Sequence, residues 1–253
     1  MRGGGVQRAT ALWTLSPPNL DFAEDFCKGR MELKTMISFS NDADILKYEP
    51  ALFGELHLPW QVLAAGTEGT LSGTTFTDAG GDFVTAQVAD GGAIYLRSAD
   101  GSLDGVYEIV SVDSATQLTV SVVRSDSEAD AIAPPTGTDV SYRISTFGPQ
   151  ACEAAFELTE YFGVRPGDPA SDIDVEDILD TQALRRASVF AVIASVYAML
   201  ASKSDDEVFW GKSLYYRGLF ERARERCRFS VDADGDGVAD VTKTGASGRL
   251  MRD

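Results

Sequence analysis

The sequence predicts an α+β fold: a helical bundle of long helices interrupted by an inserted small antiparallel β-barrel or sandwich. Three observations predict it. Apolar residues recur at three- and four-residue spacing near both ends of the chain. Between those stretches, residues 62–147 alternate with a period of two and are punctuated by Gly- and Asp-rich turns. The excess of the 24 glycines falls between positions 66 and 105, where tight turns need them.

Taken in order, residues 1–37 form a weakly patterned arm with Pro17-Pro18 and alternative starts at Met31 and Met36. Residues 41–56 read as a helix with a break. Asn41 or Asp42 caps it, Ile45, Leu46, Leu52 and Phe53 make its apolar face, and Pro50 kinks or restarts it because it has no N–H. Residues 69–76, 92–97, 106–112, 117–123 and 140–145 alternate β-branched or aromatic side chains with polar ones, giving five or six short strands. Residues 62–147 carry three basic and twelve acidic side chains, a net charge of −9, more than half of the chain's −17.

The helical period returns after Phe147. Cys152, Ala155, Phe156 and Phe162 share a face, and residues 175–202 form one long helix or two joined ones, capped by Asp172 or Asp174. The uncharged run 187–201 falls short of the ~20 residues a bilayer crossing needs and reads as a buried core helix. Ser204 and Glu207 make a capping box opening a helix to about Arg228, with Phe209, Ser213, Tyr216, Phe220, Ala223 and Cys227 on one face. The resulting organisation is an arm (1–37), a helical core (38–61 and 148–230), an inserted β module (62–147) and a tail (231–253).

A charge of −17 offers no overall basic face for gripping duplex DNA and suits basic protein partners. Cys27, Cys152 and Cys227 are odd in number and widely spaced, which argues for reduced, inert thiols rather than a disulfide framework. The start of the chain lacks the continuous apolar core of a signal peptide. His57 is the sole histidine, and no nucleotide-binding glycine motif or CxxC pair is present, so the expectation is a protein that is not an enzyme. The acidic run Asp172, Asp174, Glu176, Asp177 and Asp180 is explained by helix capping and the helix dipole.

Two clusters remain. Asp232, Asp234, Asp236 and Asp240 occupy positions one, three, five and nine of a loop with Gly237 at position six, the opening of a calcium loop whose carboxylate oxygens converge on one ion. Position twelve is Lys243 rather than a bidentate Glu, and no second helix follows, so an EF-hand is not expected. A shorter calcium site pinning the tail and a solvated acidic turn without metal both stay open. Arg217, Arg222, Arg224, Arg226 and Arg228 crowd the end of the last helix, where cations complement its dipole and can meet an acidic neighbour.

The segments FSNDADILKYEPALF, DTQALRRASVFAVIASVYAMLAS and FWGKSLYYRGLFERARERCRFSVDADGDGVAD resemble the adaptor (head-to-tail connector) proteins of long-tailed phages and gene-transfer particles. The stretch from Gly73 to Val122 looks like a β module that recurs in phage structural proteins. The smallest adaptors lack such an insertion. The resemblance implies a virion neck protein assembled in the host cytoplasm, with no required cofactor and no membrane. It would form a homo-oligomeric ring, commonly of twelve copies, beneath the portal protein ring. It would also meet a further neck or tail-completion protein and surround passing DNA without reading its sequence. It implies portal or intersubunit contacts for Arg217, Arg222, Arg224, Arg226, Arg228 and the segment after Ser230. The competing expectations are a calcium-stabilised module whose β domain binds a ligand, and an unrecognised hydrolase dependent on His57.

Overall fold

The computed structural model describes residues 37–164, 173–204 and 207–245. The arm up to Met36, Cys27, Asp172 and the two aspartates between Ser204 and Glu207 lie outside the described residues.

Among the described residues the first helix, α1 (Asp42–Leu46), is one turn and a half long. Asn41 caps it by accepting the Asp44 N–H, and Asp44 returns the bond to the Asn41 N–H, so the capping box is complete. The broken helix read over 41–56 does not form beyond this. Pro50 opens a separate 3-10 turn (Pro50–Leu52), and a second such turn (Pro59–Gln61) leads into the sheet.

Six strands follow: β1 (Val62–Ser72), β2 (Thr75–Thr77), β3 (Ala93–Arg97), β4 (Asp104–Ser114), β5 (Gln117–Ser121) and β6 (Gly137–Ser145). They pair antiparallel in the order β1-β2-β5-β4-β3-β6, and β6 returns to β1, closing a barrel. Closure demands curvature, which register shifts along the β1–β6 and β4–β5 ladders supply. Gly69 sits at one such shift. A Cβ there would stand 2.6 Å from the Phe76 ring, so only glycine lets β1 pass over that ring. The barrel interior is filled by Leu71, Phe76, Ile94, Leu96, Ile109, Leu118, Val120, Val140, Tyr142 and Ile144, with Phe83 and Leu103 packed from the loops.

After the barrel come α2 (Gly148–Phe162), a 3-10 turn (Val175–Asp177), α3 (Gln182–Ser204), α4 (Glu207–Arg226) and a two-stranded hairpin, β7 (Arg228–Val231) with β8 (Val241–Thr244). Asp174 caps the 3-10 turn rather than a long helix. Ser204 ends α3, its hydroxyl donating to the Leu200 carbonyl. Helix α3 is long and apolar enough to cross a bilayer by length and composition, yet 67% of its most apolar window is buried within the fold. Leu184, Val189, Phe190, Val192, Ile193, Val196 and Tyr197 are buried along it, each large side chain contributing about 1.5–3 kcal/mol. The same core takes in Phe39, Leu46 and Phe53 from before the barrel, and Phe147, Leu158 and Phe229 from after it.

This overturns the expected architecture. The chain is not a bundle of long helices carrying a small insertion. Among the described residues it combines four helices, one of them only five residues long, with a closed six-stranded antiparallel barrel that has its own core. Two physical causes account for the difference. Proline punctuation before residue 62 stops helix propagation, and the 11-residue strands β1 and β4 are long enough to bend around and close the sheet.

Candidate functional site

Helices α3 and α4 run antiparallel. Phe209 packs on Tyr197, Ser213 Oγ donates to the Ala194 carbonyl, Tyr216 packs near Phe190, and Cys227 Sγ reaches the Ala183 carbonyl. Glu49, in the chain before the barrel, fastens the pair. Its carboxylate accepts from the Tyr197 hydroxyl (2.7 Å), the Tyr216 hydroxyl (2.7 Å) and Lys212 Nζ (2.9 Å). Burial works to raise the Glu49 pKa, but the bonds from Tyr216, Lys212 and Tyr197 and the Lys212 charge outweigh it and leave it lowered. Burial and the Glu49 carboxylate drive both tyrosine pKa values far upward, so both remain neutral donors.

The opposite side of α4 is open. Val208 (66% exposed), Trp210 (54%), Leu214 (52%) and Tyr215 (60%) project from its first half. Large apolar side chains clustered on one exposed stretch mark a partner surface more often than scattered ones do. The second half changes chemistry. A pocket of about 220 Å³ opens between α3 and α4, with Phe190, Leu219 and Cys227 among its apolar lining and Arg186, Arg222 and Arg226 around it. None of these three arginines makes an ion pair among the described residues.

The five arginines predicted as contacts divide into four kinds. Arg222 and Arg226 line the pocket, and Arg217 lies outward with a 3.8 Å pairing to Glu221. Arg224 is spent inside the fold: it lies over the Tyr161 and Phe220 rings and pairs with Glu157 at 3.7 Å. Arg228 begins β7, opposite Thr244. Arg186, missed by sequence reasoning, completes the pocket from α3. Its only signal was the Arg185-Arg186 pair at the head of an apolar helix.

The acidic loop proves to be the connection of the β7–β8 hairpin. Asp232 accepts N–H groups from Gly235 (2.8 Å), Asp236 (3.2 Å) and Gly237 (2.6 Å), and its pKa falls chiefly through the Gly237 bond. Asp240 Oδ2 takes the Ala233 N–H, Asp234 Oδ1 the Asp236 N–H, and Asp236 Oδ1 the Val238 N–H. Gly235 and Gly237 adopt φ of +75° and +85°, the left-handed region the turn requires. Asp232, Asp234 and Asp240 offer oxygens all within 4.8 Å of one another, whereas Asp236 is outside that group. Three converging carboxylates fit the beginnings of a hard-cation site, although Asp232 already spends both oxygens on backbone. Lys243, at the twelfth position, lies in β8 opposite Phe229.

Among the other sequence candidates, His57 Nδ1 lies 3.1 Å from the Gly54 carbonyl, and its pKa is lowered by burial and by the Arg143 charge. Cys227 is buried and Cys152 half-buried, both free, with burial raising both thiol pKa values. No family model, no curated protein and no solved structure matches the chain.

Proposed function

We propose that this chain is a virion structural protein, an adaptor of the head-to-tail connector. It forms a ring between the portal and the tail or neck components and continues the DNA channel. The observation that carries this reading is the outward side of α4, where Val208, Trp210, Leu214 and Tyr215 stand exposed on a helix that goes on to Arg217, Arg222 and Arg226. An aromatic-aliphatic cluster flanked by arginine has the composition of a protein interface. Support also comes from the resemblance of the three helical segments to connector adaptors, and from a net charge of −17, which lets DNA pass without being held. In this reading α4 meets the portal ring or a neighbouring copy, twelve copies follow from the family resemblance, and the barrel faces a further neck component.

The test is a cryo-EM reconstruction of the neck of the particle that encodes this chain. A ring of it between portal and tail is the expected result. A neck with every density assigned to other chains would end the reading. The converging carboxylates of Asp232, Asp234 and Asp240 favour a second reading, a calcium-stabilised binding module. That reading has to place its ligand outside the barrel, whose interior is filled by side chains.

A further inference from the structure

One barrel loop joins acidic side chains to an exposed isoleucine over a buried ion pair. Residues 125–130 are exposed and hold Asp126, Glu128 and Asp130 with no basic residue, and Ile132 follows at 56% exposure. This loop is tied down at its base. Buried Arg124 pairs with buried Glu108 at 2.8 Å and also donates to the Ala129 carbonyl. Ile132 N–H donates to Ser121 Oγ, and the Val122 N–H donates to the Ile132 carbonyl. An exposed isoleucine on a fixed acidic loop is preorganised for docking, because little loop freedom is left to lose.

The complementary shape lies on the same chain. The pocket between α3 and α4 has an apolar lining and three arginines that make no ion pair among the described residues. Its volume of about 220 Å³ has room for a branched aliphatic side chain. Among the described residues no hydrogen bond or ion pair joins the loop to the pocket. Two different, mutually complementary patches on one chain are what a head-to-tail contact requires, and such contacts close into rings when the rotation allows.

We infer that the Arg186–Arg222–Arg226 pocket of one copy receives the acidic loop 126–132 of a second copy, with Ile132 entering the apolar lining and Glu128 and Asp130 facing the arginines. This rests on the ring reading above and names its intersubunit contact.

The experiment is sedimentation velocity on the full chain over a range of concentration and salt. It compares wild type with R222E/R226E, with E128R/D130R, and with an equimolar mixture of the two variants. Thermal melts confirm folding, and R222Q/R226Q serves as a milder second variant. Wild type is expected to self-associate, less so as salt rises. Each reversal variant alone should associate about tenfold or more weakly, and the mixture should regain association because each reversed patch then meets its opposite. Undiminished association of R222E/R226E would overturn the pocket contact while leaving the ring reading intact. Wild type that stays monomeric throughout would overturn the second copy as occupant, and the neck reconstruction would then judge the ring separately. Binding of a short DNA duplex that R222E/R226E abolishes, with self-association unchanged, would reassign the arginines to phosphate.

Discussion

Tyr197 and Tyr216 stack across the α3–α4 interface, ring centroids 6.2 Å apart and 13° from parallel, and both hydroxyls donate to the carboxylate of Glu49. One acidic side chain from before the barrel thereby holds two helices from after it. Removing that side chain leaves two phenols and Lys212 without their acceptor. Glu49→Ala should cost about 2–4 kcal/mol, and Glu49→Gln clearly less, in chemical denaturation. The Glu49 pKa is lowered in the fold, so its contribution is present above the unfolded value of 4.5 and is lost as pH falls through the folded value. A Glu49→Ala variant as stable as wild type at neutral pH would show that the network is ornamental.

Asp42 predicts the opposite pH trend. It is buried, accepts the Phe147 N–H at 2.8 Å, and so joins α1 to the entrance of α2. Burial pushes its pKa up to about 6 from 3.8, against the bonds from Phe147 and Thr146. Between those two values the folded protein holds a proton that the unfolded chain has released. Stability therefore falls as pH rises across that window, by about 3 kcal/mol for a shift of this size, and is flat above it. Asp42→Asn keeps an oxygen for Phe147 and cannot titrate. Its stability relative to wild type should grow from about pH 4 to pH 6.5 and then level off. A constant difference across that range would contradict the assignment.

The Glu108–Arg124 pair should be costly to halve. Both side chains are buried, and Glu108 also accepts the Arg124 backbone N–H. Glu108→Ala leaves a buried guanidinium unpaired and should destabilise the protein by about 3–5 kcal/mol. Arg124 also anchors the acidic loop, so hydrogen exchange in residues 125–131 of an Arg124→Met variant should accelerate more than exchange in β3 or β6.

The acidic hairpin separates turn chemistry from metal chemistry. Asp232→Ala removes the acceptor for three N–H groups and should lower the melting temperature with or without calcium. Asp234→Ala disturbs one exposed bond, so its effect should be small in chelator and larger with calcium present. Identical melting of wild type with calcium and with chelator would remove calcium from the account.

The open side of α4 should contribute to assembly rather than folding. Trp210→Ala and Leu214→Ala should change stability by no more than about 0.5 kcal/mol, as exposed positions do. The same variants should leave particles deficient in joined heads and tails, counted by electron microscopy. Full particle yield from a Trp210→Ala, Leu214→Ala double variant would argue against the adaptor role.

Apolar composition and period made α3 and α4 readable from sequence, because α3 is buried almost all round and Ser213, Tyr216 and Phe220 recur on one side of α4. The architecture was not readable. Closure of the barrel depends on β1 meeting β6, strands separated by most of the module, and on register shifts that leave no local mark beyond glycines such as Gly69. The hairpin β7–β8 was hidden because the DxDxDG pattern reads as a metal loop before it reads as a turn. Nothing local marks Glu49, since its partners lie 148, 163 and 167 residues away. Arginine crowding at the end of α4 was visible, but only the packing of α3 beside it separates Arg222 and Arg226 from Arg224.

Barrel closure sets a limit on how neighbouring copies can join. Each of the six strands has a neighbour on both sides, so another chain finds open backbone only in short stretches, as where the three-residue β2 covers only the end of β1. Crowded at the high local concentration of an assembly, such modules cannot zip together into an unbounded sheet. Recognition is left to side chains and loop tips, whose complementarity is finite and countable, and an oligomer built that way can stop growing at a fixed size.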